Sequence, residues 1–227
     1  MPWPPQSYGR PTLTDSSKTL IAALLDRSGS MSTSVTATED GWREIITSQL
    51  AEPGHCQVTL AQFDNEYELV YPPTDIAAVP EFTLVPRGSS ALLDSAGRFI
   101  TEVGEALSAL PEHERPGHVI CLIMTDGMEN ASRHWTWDAV QKLITQQREV
   151  YSWDFIFLGA DIDAVEVGRR MGVEPKYSMS FDKYDYVANR AAFASTHDVM
   201  SRKRKEAYRR SDDDGFSDED RKKAMGQ

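Results

Sequence analysis

The sequence of 227 residues lacks most of the features that would assign it to a common functional class. It holds only two cysteines, too few for a disulfide framework, and no apolar run of about 18 residues that could span a membrane. Glycine-rich phosphate loops, G-x-S-x-G nucleophile elbows and H-E-x-x-H zinc motifs are all missing, and the histidines are scattered without ligand spacing. We therefore expect a protein that is not an enzyme.

Charge and cysteine placement narrow the class further. The net charge is −11 and the pI is about 4.9, which argues against nonspecific binding to nucleic acid. Cys56 and Cys121 each fall in a predicted core strand, and buried reduced thiols are typical of a reducing cytoplasm. The first residues, Met1 to Pro5, carry neither a basic nor an apolar segment, so we expect no secretory signal. These features predict a cytoplasmic protein that binds neither nucleic acid nor membrane.

Short apolar runs alternate with amphipathic segments along the chain. We predict strands at 20–25, 56–63, 67–71, 118–124, 153–158 and 177–181. We predict helices at 36–50 (behind a capping box, Thr36-x-x-Glu39), 91–110, 136–149, 162–171 and 183–209. The tight link at 64–66 requires an antiparallel hairpin, whereas alternation of strands and helices implies a parallel sheet. The predicted fold is α/β, with a doubly wound, mostly parallel sheet of about six strands, one antiparallel edge strand and helices on both faces.

Composition divides the chain into one folded region and two flanking segments. Residues 1–17 are rich in proline, serine and threonine, and we predict a flexible N-terminal segment there. A single domain is predicted for 18–210. Residues 211–227 carry the acidic runs Asp212–Asp214 and Asp218–Asp220, which predict a flexible acidic tail.

Hydroxyl and carboxylate side chains follow two of the predicted strands. Asp26, Ser28 and Ser30 come directly after the first apolar run, and Asp126 follows the run at 118–124. Ser90 lies in a Gly-Ser loop that opens a helix. In doubly wound sheets, ligands gather at the carboxyl ends of the strands, where the strand order reverses. Hard oxygen ligands suit Mg²⁺ or Mn²⁺, so the five residues predict a divalent-cation site.

At these residues the chain resembles the von Willebrand factor type A family, whose fold is Rossmann-like. The metal-ion-dependent adhesion site of that family reads D-x-S-x-S, then a loop threonine, then a strand-end aspartate followed by glycine. The resemblance covers roughly Lys18 to Arg210 and departs at Ser90, which keeps the hydroxyl of the usual threonine but loses its stiffening methyl group. In the usual strand order of the family, another strand separates Cys56 from Cys121, so no disulfide is expected.

The resemblance implies a role for each site residue. Ser28 and Ser30 would bind the metal directly, Ser90 directly or through water, and Asp26 and Asp126 mainly through water. A position open to solvent would accept an Asp or Glu of a protein partner. The compact form is similar to intracellular bacterial or bacteriophage members of the family, several of which assist ATPases or stress-response assemblies.

Other interpretations remain open at the level of sequence. Short Asp/Ser patterns also occur in simple turns with capping serines. The protein could be a homo-oligomeric or particle-associated protein whose own acidic tail supplies the ligand. A metal-dependent phosphohydrolase is a third possibility, but the sequence offers no obvious base beside a metal-bound water.

Several residues near the predicted site have structural interpretations. Glu129 is predicted to be an exposed loop acid, with a role in fixing waters at the rim as the alternative. Asp94 is expected to interact with the helix dipole or to pack near the site loops. For His134, Trp135 and Trp137 we expect packing, with a partner contact at the rim as the alternative.

Overall fold

A central six-stranded sheet organises the fold. The computed structural model describes residues 14–127, 129–205 and 215–227. The strands are β1 (Asp15–Asp26), β2 (His55–Phe63), β3 (Tyr67–Asp75), β4 (Pro116–Thr125), β5 (Asp154–Ala160) and β6 (Ser178–Phe181). They lie in the order β3-β2-β1-β4-β5-β6, and every neighbouring pair is parallel except β2 with β3. The prediction of a mostly parallel sheet with one antiparallel edge strand is confirmed.

Helices cover this sheet. They are α1 (Val35–Leu50), α2 (Leu92–Ser108), α3 (Trp137–Tyr151), α4 (Ala164–Met171), α5 (Tyr186–Lys205) and α6 (Asp218–Ala224). Every residue of β1 from Leu20 to Asp26 is buried, as expected of a strand covered on both faces. Helix α1 packs with α5, and α3 packs with both α2 and α4. The predicted doubly wound α/β class is therefore confirmed.

The edge strand β3 is longer than its sequence predicts. It continues past the predicted end at Tyr71 through Pro72 and Pro73 to Asp75. Proline donates no backbone hydrogen bond, but an edge strand has one side without a partner strand, where the missing donor costs nothing. The register with β2 also shifts along the strand, which accommodates the prolines.

The predicted capping box at Thr36 is wrong. Helix α1 begins after Ser34, and no side chain caps its first turn. The Glu39 carboxylate instead accepts a hydrogen bond from the backbone N–H of Leu84, at 2.8 Å. Leu84 lies in the irregular connection before α2, where the backbone has no strand or helix partners, so this long-range bond satisfies a donor that would otherwise be unpaired.

The C-terminal residues fold against the domain, so the prediction of a flexible tail is wrong for 215–227. Helix α6 has a capping box between Ser217 and Asp220, and both Phe216 and Ala224 are buried. The Phe216 N–H donates to the Lys176 carbonyl at 2.8 Å. Acidic groups in the first turn and basic groups in the last turn favour the helix, and the segment packs against β6 at the edge of the sheet. Residues 211–214 lie outside the described residues.

At the N-terminal boundary, β1 begins at Asp15, so the last residues of the predicted flexible segment are strand. The rest of that segment, 1–13, lies outside the described residues. Cys56 on β2 and Cys121 on β4 are buried and free, with β1 between their strands, as the resemblance implied. Within the described ranges, no helix combines the length and apolarity needed to cross a bilayer.

Candidate metal site

The parallel pairing of β1 with β4 brings the two predicted aspartates to one edge of the sheet. Leu25 pairs with Met124, so Asp26 and Asp126 both lie at the carboxyl ends of neighbouring strands. The order of the sheet reverses here, since β2 lies on one side of β1 and β4 on the other. This is the position where open α/β sheets bind ligands.

Three oxygen atoms form a small triangle at this edge. The Ser30 hydroxyl donates to Asp126 Oδ1 at 2.7 Å, and the Ser28 hydroxyl lies 3.4 Å from the same oxygen. The two serine oxygens are 3.1 Å apart. Ser28 and Asp126 are buried, whereas Ser30 is exposed, so solvent reaches the triangle at Ser30.

Asp26 is fully buried and connects several parts of the site through hydrogen bonds. Its Oδ1 accepts the Ser28 N–H at 2.6 Å, and its Oδ2 accepts the hydroxyls of Thr125 at 2.5 Å and Ser90 at 3.0 Å. Burial raises the pKa of Asp26, and the hydrogen bonds from Thr125 and Ser28 oppose that shift. Because both oxygens already accept hydrogen bonds, Asp26 acts on its surroundings through the hydroxyls and amide that it orients. All five predicted site residues are thus joined in one network.

Lys183 enters the site from a part of the chain that sequence reasoning did not connect with it. Its ammonium donates to Asp126 Oδ2 at 2.8 Å, and the two side chains are only 8% and 0% exposed. Burial lowers the pKa of Lys183, but the hydrogen bond and the negative charge of Asp126 outweigh burial, so the pKa lies above its usual value. Lys183 is therefore a fixed positive charge beside Asp126.

A second charged network holds the serine loops together. The buried Asp64 carboxylate, at the end of β2, accepts the Nε–H groups of Arg27 at 3.0 Å and Arg87 at 2.7 Å. The backbone joins the same loops, because Gly29 N–H donates to the Gly88 carbonyl at 3.1 Å. Gly88 has a φ of +67°, and a Cβ there would lie 2.1 Å from the Asn65 side chain. Asp64 thus fixes the loop that carries Ser90 relative to the loop that carries Ser28.

The loop after β4 is anchored by acids, and the prediction that Glu129 is an exposed loop acid is wrong. Its carboxylate accepts the backbone N–H groups of Leu93 at 2.8 Å and Ser132 at 2.7 Å, along with that of Ala131. Asp94 packs near the site loops as expected, where it accepts three consecutive N–H groups from 133–135. Each carboxylate satisfies loop donors that have no strand or helix partner.

The aromatic residues after this loop contribute to packing. Trp135 packs against the core and lies over Gly97 of α2, where a Cβ would come within 2.1 Å of the indole ring. Trp137 is half-buried, and the Arg170 guanidinium lies 3.8 Å from the centre of its ring. The expectation of packing therefore holds for both tryptophans, while His134 is exposed.

The donor set fits a hard divalent cation. Mg²⁺ takes six oxygens at about 2.0–2.1 Å, which places neighbouring ligands of an octahedron about 3 Å apart. The Ser28 and Ser30 oxygens, 3.1 Å apart, are close to that spacing, and Asp126 Oδ1 lies beside both, where it can accept hydrogen bonds from metal-bound water. No group of three or more His, Cys, Asp or Glu that could hold a metal occurs in the described part of the chain. Binding at this site would therefore depend on the serine hydroxyls.

The fold and this network define a class of Rossmann-like α/β domain with an oxygen-rich site at its switch point. No model of a known protein family matches the sequence, and no curated protein matches it. Solved structures do match. The pilus adhesin SpaC from Lactobacillus rhamnosus GG aligns with a TM-score of 0.60 at 13% identity, covering 81% of this chain and 30% of that one.

Two further structures are von Willebrand domains by description. A von Willebrand factor type A protein from Catenulispora acidiphila aligns with a TM-score of 0.54 at 15% identity, over 79% of this chain and 42% of that one. The vWF domain of the type V pili tip protein Mfa5 from Porphyromonas gingivalis aligns with a TM-score of 0.55 at 9% identity. The alignment covers 86% of this chain and 97% of that one. This chain has the von Willebrand factor type A fold. It spans less than half the length of the SpaC and Catenulispora chains.

Proposed function

We propose that this protein is a divalent-cation-dependent protein-binding module. Mg²⁺, or Mn²⁺, would be held by Ser28, Ser30 and Ser90, with Asp26 and Asp126 acting mainly through water. When bound, the cation supplies an electrophilic position that takes an Asp or Glu side chain of a partner. The observation that carries the proposal is the pair of serine hydroxyls, 3.1 Å apart and reached by solvent at Ser30, with the Asp126 carboxylate within 2.7 Å of Ser30 and 3.4 Å of Ser28.

The chain's own residues preorganise this site. Asp26 orients the Ser90 hydroxyl and the Ser28 backbone from below, and Asp64 ties together the loops that carry them. Preorganised ligands lose little conformational freedom when they bind, which raises affinity. Pilus proteins such as SpaC and Mfa5 share the fold, which supports a role in protein interaction. We propose a cytoplasmic partner protein, such as an ATPase or a stress-response assembly, and no catalytic activity.

Metal binding is the first test. Mn²⁺ affinity is measured by electron paramagnetic resonance for the wild type, Asp26→Ala and Ser28→Ala, with Asp138→Ala on the exposed surface of α3 as the matched control. We expect both site variants to lose affinity by at least about tenfold, since a carboxylate or a direct ligand is removed. The control should match the wild type. Unchanged affinity in Asp26→Ala would refute the site.

Partner capture is the second test. The immobilised protein is exposed to cell extract in Mg²⁺ or in EDTA, with Ser28→Ala alongside. A partner that binds only the wild type, and only with the metal, supports the proposal. Binding that survives both EDTA and the Ser28 change would show an interaction surface elsewhere on the domain.

The homo-oligomer alternative loses part of its basis. Within the predicted tail, Glu219 pairs with Lys223 at 2.8 Å, and Asp220 caps α6 and accepts the Ser195 hydroxyl at 3.0 Å. These acids are engaged within their own domain. We therefore retain the partner-binding function as the conclusion.

A further inference from the structure

We infer that Lys183 sets the metal affinity of the proposed site, holding it below the affinity that the same oxygen ligands would have without the lysine. This inference rests on the proposed function, because it concerns the charge of the same site. The lysine lies outside the motif residues, since it is contributed by the turn between β6 and α5.

The two oxygens of Asp126 have separate partners. Oδ1 accepts the Ser30 hydroxyl at 2.7 Å, and Oδ2 accepts the Lys183 ammonium at 2.8 Å. Lys183 therefore contacts the carboxylate oxygen that does not face the Ser28 and Ser30 hydroxyls. The ammonium can remain in place while the serine side of Asp126 faces a cation, so the lysine charge acts on the occupied site as well as on the empty one.

The turn that carries Lys183 is held firmly. The Asp182 carboxylate accepts the Tyr184 N–H at 2.8 Å, and the Asp182 N–H donates to the Ala224 carbonyl at 2.9 Å. The Lys183 N–H also lies 3.4 Å from Asp161 Oδ1. The lysine side chain is only 8% exposed, and its ammonium is paired with the buried Asp126 carboxylate, which holds the charge at the site. A cation at the site must therefore bind near a fixed positive charge.

The net charge of the site follows directly. With both carboxylates ionised, Asp26 and Asp126 contribute two negative charges and Lys183 one positive charge, which leaves one negative charge to attract a divalent cation. Without Lys183 there would be two. The occupied site carries a net positive charge with the lysine and none without it. Lys183 thus weakens cation binding and at the same time favours an anionic group, such as a partner carboxylate, at the open position.

The test compares Lys183→Met and Lys183→Gln with the wild type, with Lys142→Met on the exposed face of α3 as the control. Glutamine keeps a hydrogen-bond donor for Asp126 but removes the charge, whereas methionine removes both. Mn²⁺ affinity is measured by electron paramagnetic resonance, and the rise in melting temperature on adding Mn²⁺ is measured alongside. We expect both Lys183 variants to bind Mn²⁺ at least about tenfold more tightly, because a like charge a few ångströms away shifts ion equilibria by about one to three powers of ten.

The direction of the change in Mn²⁺ affinity distinguishes an effect of the Lys183 charge from an effect on the position of Asp126. If Lys183 only positioned Asp126, the methionine variant would bind more weakly and glutamine would restore affinity, and that result would overturn the inference. Equal affinity in the wild type and both variants would also overturn it, while leaving the metal site intact. Failure of the wild type and both variants to bind Mn²⁺ would overturn the site and this inference together. Binding only after removal of the charge would support both.

Discussion

Asp64 should be the most costly single carboxylate to remove from the loops around the site. Its side chain is 1% exposed, and its carboxylate forms ion pairs with the buried Arg27 and the half-exposed Arg87. Removing one partner of a buried ion pair costs about 3–5 kcal/mol. Arg27 keeps a second carboxylate partner in Glu68, and the half-exposed Arg87 guanidinium can be hydrated once Asp64 is removed, so the lower end of this range applies. We therefore expect Asp64→Ala to lower the free energy of unfolding by about 3 kcal/mol.

That loss is measurable in two ways. For a domain of this size, about 3 kcal/mol corresponds to a fall in melting temperature of roughly 6–12 °C. The matched control is Glu66→Ala, which removes only the surface pair with Arg87, where the side chains are 66% and 53% exposed. The control should lose less than about 1 kcal/mol. Urea denaturation of the wild type and both variants gives the free energies directly, and an Asp64→Ala loss within about 1 kcal/mol of the control would refute the reasoning.

The contribution of Asp64 to the free energy of unfolding should also depend on pH. Burial alone would raise the pKa of Asp64, but the hydrogen bonds and charges of Arg87 and Arg27 outweigh burial and hold the pKa below its usual value. A carboxyl whose pKa is depressed in the folded state stabilises the protein above the unfolded pKa, and this contribution is lost as the pH falls through the folded pKa. The difference between wild type and Asp64→Ala should therefore be full at pH 6 to 7 and shrink below about pH 4. A difference that grows on acidification would contradict this assignment.

Three further predictions concern the site and the C-terminal segment. Ser90→Thr should bind Mn²⁺ as tightly as the wild type or a few-fold more tightly, since the β-branched residue pre-orders the hydroxyl; calorimetry checks this. EDTA should leave the far-UV circular dichroism unchanged at room temperature, because Lys183 and internal hydrogen bonds already compensate the buried carboxylates; loss of the signal would refute it. Phe216→Ala should cost about 3 kcal/mol in urea denaturation, because Phe216 is buried, whereas Met225→Ala, at 41% exposure, should cost less than about 1 kcal/mol.

The amino-acid sequence determined the architecture and the motif residues. Strands such as β1 are continuous apolar runs, and that pattern alone indicates a strand covered on both faces. Asp26 and Asp126 follow two such runs, so their position at one edge of the sheet follows from parallel topology. These are local signals, since each depends on residues close together in the chain.

Only the tertiary structure showed what surrounds those residues. Lys183 and Asp126 are 57 positions apart, and Thr125 lies 99 positions from its partner Asp26. Neither pairing has a local pattern, because each depends on which strands become neighbours and on the direction in which a turn points. The prediction of a flexible acidic tail was wrong at 215–227 for the same reason. A charged run looks solvated in sequence, and only the packing of Phe216 and Ala224 against the domain reveals that the segment is folded.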